Sequence, residues 1–231
     1  MKTQVIRYSF QMSDNTCKEF KLELNPIDLE LRGNIPEHLP AWAKLDFHQC
    51  SNCPLDVIAH PHCPLAANIV NVVQRFDGLR SYDTITVEVI AEERRITQQT
   101  TVQKGISSMM GLIIATCGCP HTAFFKPMAR FHLPLASLQE TIFRATSMYL
   151  LAQYYLNKEY RKADFEFEGL GKIYDNMQIV NCAIAERLRN ATLTDSSINA
   201  IVLLDSYAQI LPLAIGKSLE GIRHLFTPFF R

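Results

Sequence analysis

Apolar and polar residues alternate at the start of the chain. Ile6, Tyr8 and Phe10 form one run and Phe20, Leu22 and Leu24 another, with Ser13-Asp14-Asn15-Thr16 between them. A period of two puts each run on one face of a strand, and the polar tetrad supplies turn chemistry, so the stretch predicts a hairpin. Ile27, Leu29 and Leu31 alternate again after Asn25-Pro26 and before Gly33, which predicts a third short strand. Residues 84–96 are rich in β-branched side chains, with Ile85, Val87 and Val89 on one face, and read as one strand returning to the hairpin. The sheet is then expected to have three or four strands.

Elsewhere the period is helical. Leu65, Ile69, Val72, Val73 and Phe76 predict a helix with Pro64 in its first turn and Asp77-Gly78 as its stop. A second helix runs from about Thr101 through Met110, Leu112, Ile113 and Ile114 and ends at Cys117-Gly118-Cys119-Pro120. Ser137-Leu138-Gln139-Glu140 matches a capping box for a helix to about Asn157, with Ile142, Ala145, Tyr149, Leu150 and Ala152 as its inner face and Glu140 able to pair with Arg144. Ile173, Met177, Val180, Ile184 and Leu188 predict a further helix, Ile198, Val202, Tyr207, Ile210 and Leu211 another, and Ile215 to Leu225 a last one.

The expected fold class is therefore α+β: a small antiparallel sheet, the N-terminal hairpin plus a strand near 84–96, packed on a mostly helical C-terminal body. No repeat and no glycine or serine linker divides the chain, so residues 1–231 read as a single domain. Its sheet-rich part, 1–100, contains a Cys/Pro-rich loop at 36–64, and its helical part covers 101–231. The loop holds Pro36, Pro40, Pro54, Pro61 and Pro64, which prevents regular structure, and a loop of that length needs something to hold it.

Composition narrows the function classes. With 48% hydrophobic and 20% charged residues, the 231-residue chain is expected to be soluble and globular, and long enough to bury a core without disulfides or metal. Its 23 basic and 23 acidic residues cancel, which argues against nucleic acid or an anionic bilayer as partner. The most apolar stretch, Met109 to Thr116, falls far short of the roughly 20 residues of a membrane span. The start of the chain reads as a strand and not as a signal peptide, so a cytoplasmic location is expected. Seven cysteines in a reducing compartment bind metal or do redox work more often than they form disulfides.

Five of these cysteines fall in two windows, Cys50 and Cys53 with Cys63, and Cys117 with Cys119. A two-residue spacing lets two thiolates turn toward one cation, as in zinc and iron–sulfur sites. Cys53, Cys63 and Cys119 are each followed by proline, although the chain has only 11, and proline stiffens the backbone beside a ligand. Cys50, Cys53, Cys63 and Cys119 are the expected metal ligands, tying the loop to the end of the second helix. His48, His60, His62 and His121 crowd the same windows and His132 follows. Among them His60, His62, His121 and His132, with Cys117, are the expected substitutes or outer-sphere groups. The plain alternative is that these thiols are small buried hydrophobes.

Weaker candidates add little. Cys117-Gly118-Cys119 could form a redox pair, and Cys119-Pro120-His121 could set an imidazole beside a thiol, but no third orienting group is evident. Cys17 and Cys182 read as packing residues. Lys104-Gly105 and Gly111 lack the spacing of a phosphate loop. Asp164, Glu166 and Glu168 read as a loop or edge segment, Arg94-Arg95 as a solvated strand end, and the aromatic tail from Leu225 to Arg231 as a segment docked on the core or on a second subunit.

The motifs Cys50-x-x-Cys53-Pro54, Cys63-Pro64-Leu65-Ala66, Gly118-Cys119-Pro120-His121-Thr122 and Met128-Ala129-Arg130-Phe131-His132-Leu133-Pro134 together resemble a bacterial family of proteins of unknown function, over most of the chain. The resemblance implies a bacterial cytoplasmic protein and lends no reaction or substrate. The functional expectation is a structural four-cysteine zinc site in an adaptor or regulatory protein acting through a partner or as a homodimer. An iron–sulfur redox or sensor protein is the first alternative, and a metalloenzyme with an open metal position the second.

Overall fold

The structure, a computed structural model, describes residues 2–191 and 195–230, and their side chains except at residue 211 and residues 213–218. Five antiparallel strands form one sheet in the order β3-β2-β1-β4-β5. They are β1 (Gln4–Gln11), β2 (Cys17–Leu24), β3 (Leu31–Arg32), β4 (Thr84–Ala91) and β5 (Arg94–Thr101). Six α-helices are described: α1 (Pro64–Arg75), α2 (Val102–Thr116), α3 (Lys126–Arg130), α4 (Leu138–Lys158), α5 (Glu168–Arg189) and α6 (Asp195–Ile222). Short 3-10 turns lie at Ala41–Ala43, Ala123–Phe125 and Arg223–Phe230. The α+β class is as the periodicity predicts.

Alternation decides which sheet face is covered. Ile6, Tyr8 and Phe10 of β1 are buried beside Phe20, Leu22 and Leu24 of β2 and Ile85, Val87 and Val89 of β4. Tyr8 stands between Phe20 and Val89, and Phe10 opposite Val87, so the three apolar rows coincide. Phe10, Phe20 and Phe76 form an aromatic cluster with centroids 4.8–5.8 Å apart, which ties the end of α1 to the sheet. Helix α2 crosses the same face at Gly105, where a Cβ would lie 2.8 Å from Val87 and 3.1 Å from Phe10. The missing side chain is what lets this helix lie so close.

Several elements differ from the sequence expectation. The strand near 84–96 is two strands, β4 and β5, turned at Glu92-Glu93, so the sheet has five strands. Strand β5 is an edge with a mostly polar sequence, Arg-Arg-Ile-Thr-Gln-Gln-Thr-Thr, and without an apolar face it gives no alternation to read. The capping box at Ser137 and Glu140 forms, but Leu150 and Ala152 face outward, and Thr146 and Gln153 take inner positions beside Ile142, Ala145 and Tyr149. Glu140 bonds Ser137 instead of Arg144, whose guanidinium turns to the carbonyls of Met128 and Phe131.

The two helices expected after Ile198 are one, α6, which continues through Pro212. The side chains of Leu211 and Ile215 lie outside those described. Leu225, Phe229 and Phe230 of the tail are exposed, so the tail does not dock on the core. Cys17 and Cys182 are exposed as well, and core packing does not account for them. Asp164 caps the start of α5 through the Gly169 amide and receives the Tyr149 hydroxyl, a structural role. No described helix is long and apolar enough to cross a membrane.

The contact at Gly105 yields a direct test. Gly105→Leu would force branched carbon into Val87, Ile85 and Phe10, and overpacking of this kind costs about 1–3 kcal/mol. A thermal scan of the variant is expected to show Tm lowered by several degrees.

Candidate metal centre

The proline-rich loop closes on itself through its own backbone. Leu45 donates to the Pro61 carbonyl at 3.0 Å and Cys63 to the Ala43 carbonyl at 2.9 Å, with Lys44 bridged to His62. Residues 46–60 thus form an arm that returns Cys50 and Cys53 toward Cys63. What holds the neck of this arm is Arg187 of α5, only 1% exposed. Its Nη1 donates to the carbonyls of Trp42 at 2.9 Å and Lys44 at 2.6 Å, and its Nη2 to that of Leu45 at 2.9 Å. Among the described residues no carboxylate forms an ion pair with Arg187, and its Nε has no hydrogen-bond partner. A buried guanidinium satisfied only by carbonyls keeps its full positive charge, and that charge favours an anion nearby.

Three elements then deliver four thiols. Cys63 is the N-cap of α1. Cys119 follows the end of α2 across Gly118, whose φ of +87° is the left-handed turn that glycine allows. The amides of His121 and Thr122 point at the Cys119 sulfur, which steadies its anionic form. Cys50 and Cys53 share a turn closed by Cys53 N–H on the Cys50 carbonyl at 3.0 Å. Asn52 between them donates to Asn176 Oδ1 of α5 at 2.9 Å, and His121 donates through Nε2 to the Asn52 carbonyl at 2.6 Å. The CxxC turn is therefore fastened both to α5 and to the segment after α2.

Cys50, Cys53, Cys63 and Cys119 line one cavity of about 20 Å³, walled by Leu45, Leu55, Leu65, Val180 and Ile184. Burial pushes the Cys50 thiol up to about 12, and the nearby Cys63, Cys119 and Cys53 push the same way while Arg187 opposes them. Burial raises Cys119 too, against its two amide bonds. The four thiols feel one another's charge, yet among the described residues no group of three or more His, Cys, Asp or Glu side chains is arranged to hold a metal ion. They surround a space instead of closing on a point.

The remaining candidates stand elsewhere. Cys117 is buried behind the cavity, its thiol donating to the Ile114 carbonyl at 3.2 Å, and burial drives its pKa far upward. Of the two cysteines in that window, Cys119 is the one on the cavity. His60 and His62 are exposed on the loop and do not line it, and His48 pairs with Asn190. His121 lines the cavity, but its Nε2 is engaged by Asn52, which makes it a positioning residue.

His132 lies in a second, larger cavity and bonds Tyr8, so it is not a neighbour of the thiols. Arg187 escaped the sequence reading. Its signal was an arginine on the inner face of α5, one turn beyond Ile184 and two beyond Val180.

Two expected outcomes follow from this geometry. Arg187→Leu removes charge-assisted bonds from three carbonyls, of which that of Lys44 keeps the Phe47 amide at 3.4 Å, and a loss of about 3 kcal/mol in urea unfolding is expected. For His132, burial and then the Arg144 charge push the pKa down to about 3. The folded state holds this imidazole neutral while the unfolded chain protonates it near its ordinary value. The resulting stability is complete above about pH 6.5 and is lost as pH falls toward 3. The drop in urea midpoint between pH 7 and pH 5 is expected to shrink in His132→Gln.

No curated protein and no solved structure matches the chain. A family model does match, over residues 6–227, and the chain accordingly belongs to the family described as a domain of unknown function, DUF6901.

Proposed function

We propose that Cys50, Cys53, Cys63 and Cys119 hold an iron–sulfur cluster, and that the protein acts as a cytoplasmic redox or sensor protein. The observation that carries this reading is a single leucine-walled cavity lined by all four thiols beside the unpaired Arg187 charge. Both metal readings require the thiols to adjust. At a Zn–S distance of about 2.3 Å, tetrahedral sulfurs stand about 3.8 Å apart and leave no room inside. A cavity of about 20 Å³ admits a water-sized sphere, which needs roughly 10–15 Å³. That space exceeds the interior of a closed zinc site and falls short of an iron–sulfide cage, so the thiols would draw in for zinc and move apart for a cluster.

Charge suits either metal, because four thiolates outweigh zinc and the positive core of a cluster alike, and the Arg187 charge near Cys50 offsets part of the excess. Bound there, a cluster would supply one-electron chemistry. This chain's residues would tune it through the amides of His121 and Thr122 on Cys119, the leucine shield and Arg187. All seven cysteines are free thiols, consistent with a reducing compartment.

A structural zinc and an adaptor role form the second reading. It draws support from α4, whose outer face carries exposed Phe143, Leu150, Leu151, Tyr154 and Tyr155, a surface suited to a protein partner or a homodimer. An open catalytic metal has less support, since leucine and valine wall the cavity and His121 is already engaged. The buried side chains of sheet and helices form one cluster, which favours a single domain.

Anaerobic purification with iron, sulfide and zinc analysis tests the proposal. About four irons and four acid-labile sulfides per chain, with visible colour, are expected for a four-cysteine cubane. Serine in place of Cys50, Cys53, Cys63 or Cys119 should remove them, while Cys117→Ser and Cys17→Ser should retain them. One zinc and no colour would move the reading to the structural site. Neither metal after reconstitution, or equal loss in all six variants, would overturn both.

A further inference from the structure

The larger cavity has chemistry of its own. It measures about 410 Å³ and lies between α2, α4, α5 and α6, within the size range of small-molecule sites. Most of its wall is apolar, with Leu112 of α2, Met177 of α5 and Leu204 of α6 among its lining, and Arg144 and His132 are among its polar groups. Among the described residues, the charged ones that line it are Arg144 and Lys104, and no aspartate or glutamate does. The charge among its described lining residues is therefore positive.

Arg144 is held in place by backbone carbonyls, with the Glu140 charge acting on it from a distance. Its Nη2 donates to the carbonyls of Met128 at 2.8 Å and Phe131 at 3.0 Å. Among the described residues no carboxylate forms an ion pair with it, because Glu140, one turn earlier, is engaged by Ser137. Beside it, His132 shares a 2.5 Å hydrogen bond with the Tyr8 hydroxyl, which in turn lies 3.0 Å from Ser108 Oγ. Ser108 accepts the Leu135 amide at 2.8 Å. This chain, anchored in the sheet and in the loop after α3, fixes the imidazole at the cavity wall as a neutral group. A fixed cation next to neutral hydrogen-bonding groups, facing an apolar chamber, is complementary to an anion with an apolar body.

We propose that this cavity binds an amphipathic organic carboxylate, with its carboxylate on the Arg144 guanidinium and its apolar body among Leu112, Met177 and Leu204. A bidentate guanidinium matches the planar carboxylate, and Lys104, exposed on α2, adds attraction for an anion approaching the site. The site is separate from the four-thiol cavity, and the proposal stands whichever metal, or none, is found there.

Calorimetric titration of the full chain with decanoate and with decanol tests it. Decanoate is expected to bind at least tenfold more tightly than decanol. Arg144→Gln is expected to abolish that preference while still binding decanol, which also reports that the variant is folded. Gly111 lines the cavity with ordinary space for a Cβ, 3.8 Å from Leu204, so Gly111→Leu should fill the chamber and weaken both ligands tenfold or more. Lys104→Gln should keep the preference for the acid. The proposal is overturned by no binding of either ligand to the native chain, by equal affinity for acid and alcohol, or by undiminished binding of both to Gly111→Leu.

Discussion

A buried guanidinium organises the part of this protein that carries its candidate chemistry. Arg187 gives hydrogen bonds to three carbonyls in a segment too rich in proline to satisfy them by regular structure. Without those bonds the Trp42 and Leu45 carbonyls would lose their charged donor, and leaving a buried acceptor unmet costs about 1–3 kcal/mol. With them, the backbone exchange between residues 43–45 and 61–63 becomes possible, and Cys63 is set at the start of α1. The same side chain puts an uncompensated positive charge beside four thiols. One residue thus shapes the loop and biases the site toward negative charge.

Helix α2 is the second organiser, since it faces three environments. Gly105 brings it against the sheet, its far end turns through Gly118 to deliver Cys119, and its opposite side lines the large cavity with Ser108 and Leu112. Close packing transmits constraint among these regions, because a core at near-crystalline density leaves little room for independent adjustment. The sheet reaches the cavity directly through Tyr8, which stacks on Phe10 and bonds both Ser108 and His132.

Both internal sites share an electrostatic design. Arg187 and Arg144 are each held by backbone carbonyls and not by carboxylates, so each remains a net cation at the edge of an apolar chamber. Carbonyls orient a guanidinium without cancelling its charge, whereas an aspartate or glutamate would. The difference lies in surroundings: thiols and leucines around one chamber, a neutral imidazole and a long apolar wall around the other.

The sequence by itself determined the elements whose signals are local. Alternation marked β1, β2 and β4, helical spacing marked α1, α2 and α5, and Ser137 with Glu140 marked the start of α4. CxxC spacing and the prolines after Cys53, Cys63 and Cys119 also singled out four thiols that line one cavity. Tertiary structure alone decided the rest. Strand β5 carries no apolar face, so its existence depends on pairing with β4. The fates of Cys117, His62 and His132 depended on which way each side chain turned once distant segments met. Arg187 lies 142 residues from its Leu45 partner, and neither cavity is formed by any one segment. Periodicity reports which face of an element is buried, but not what faces it across the core, and sites are built from that second relation.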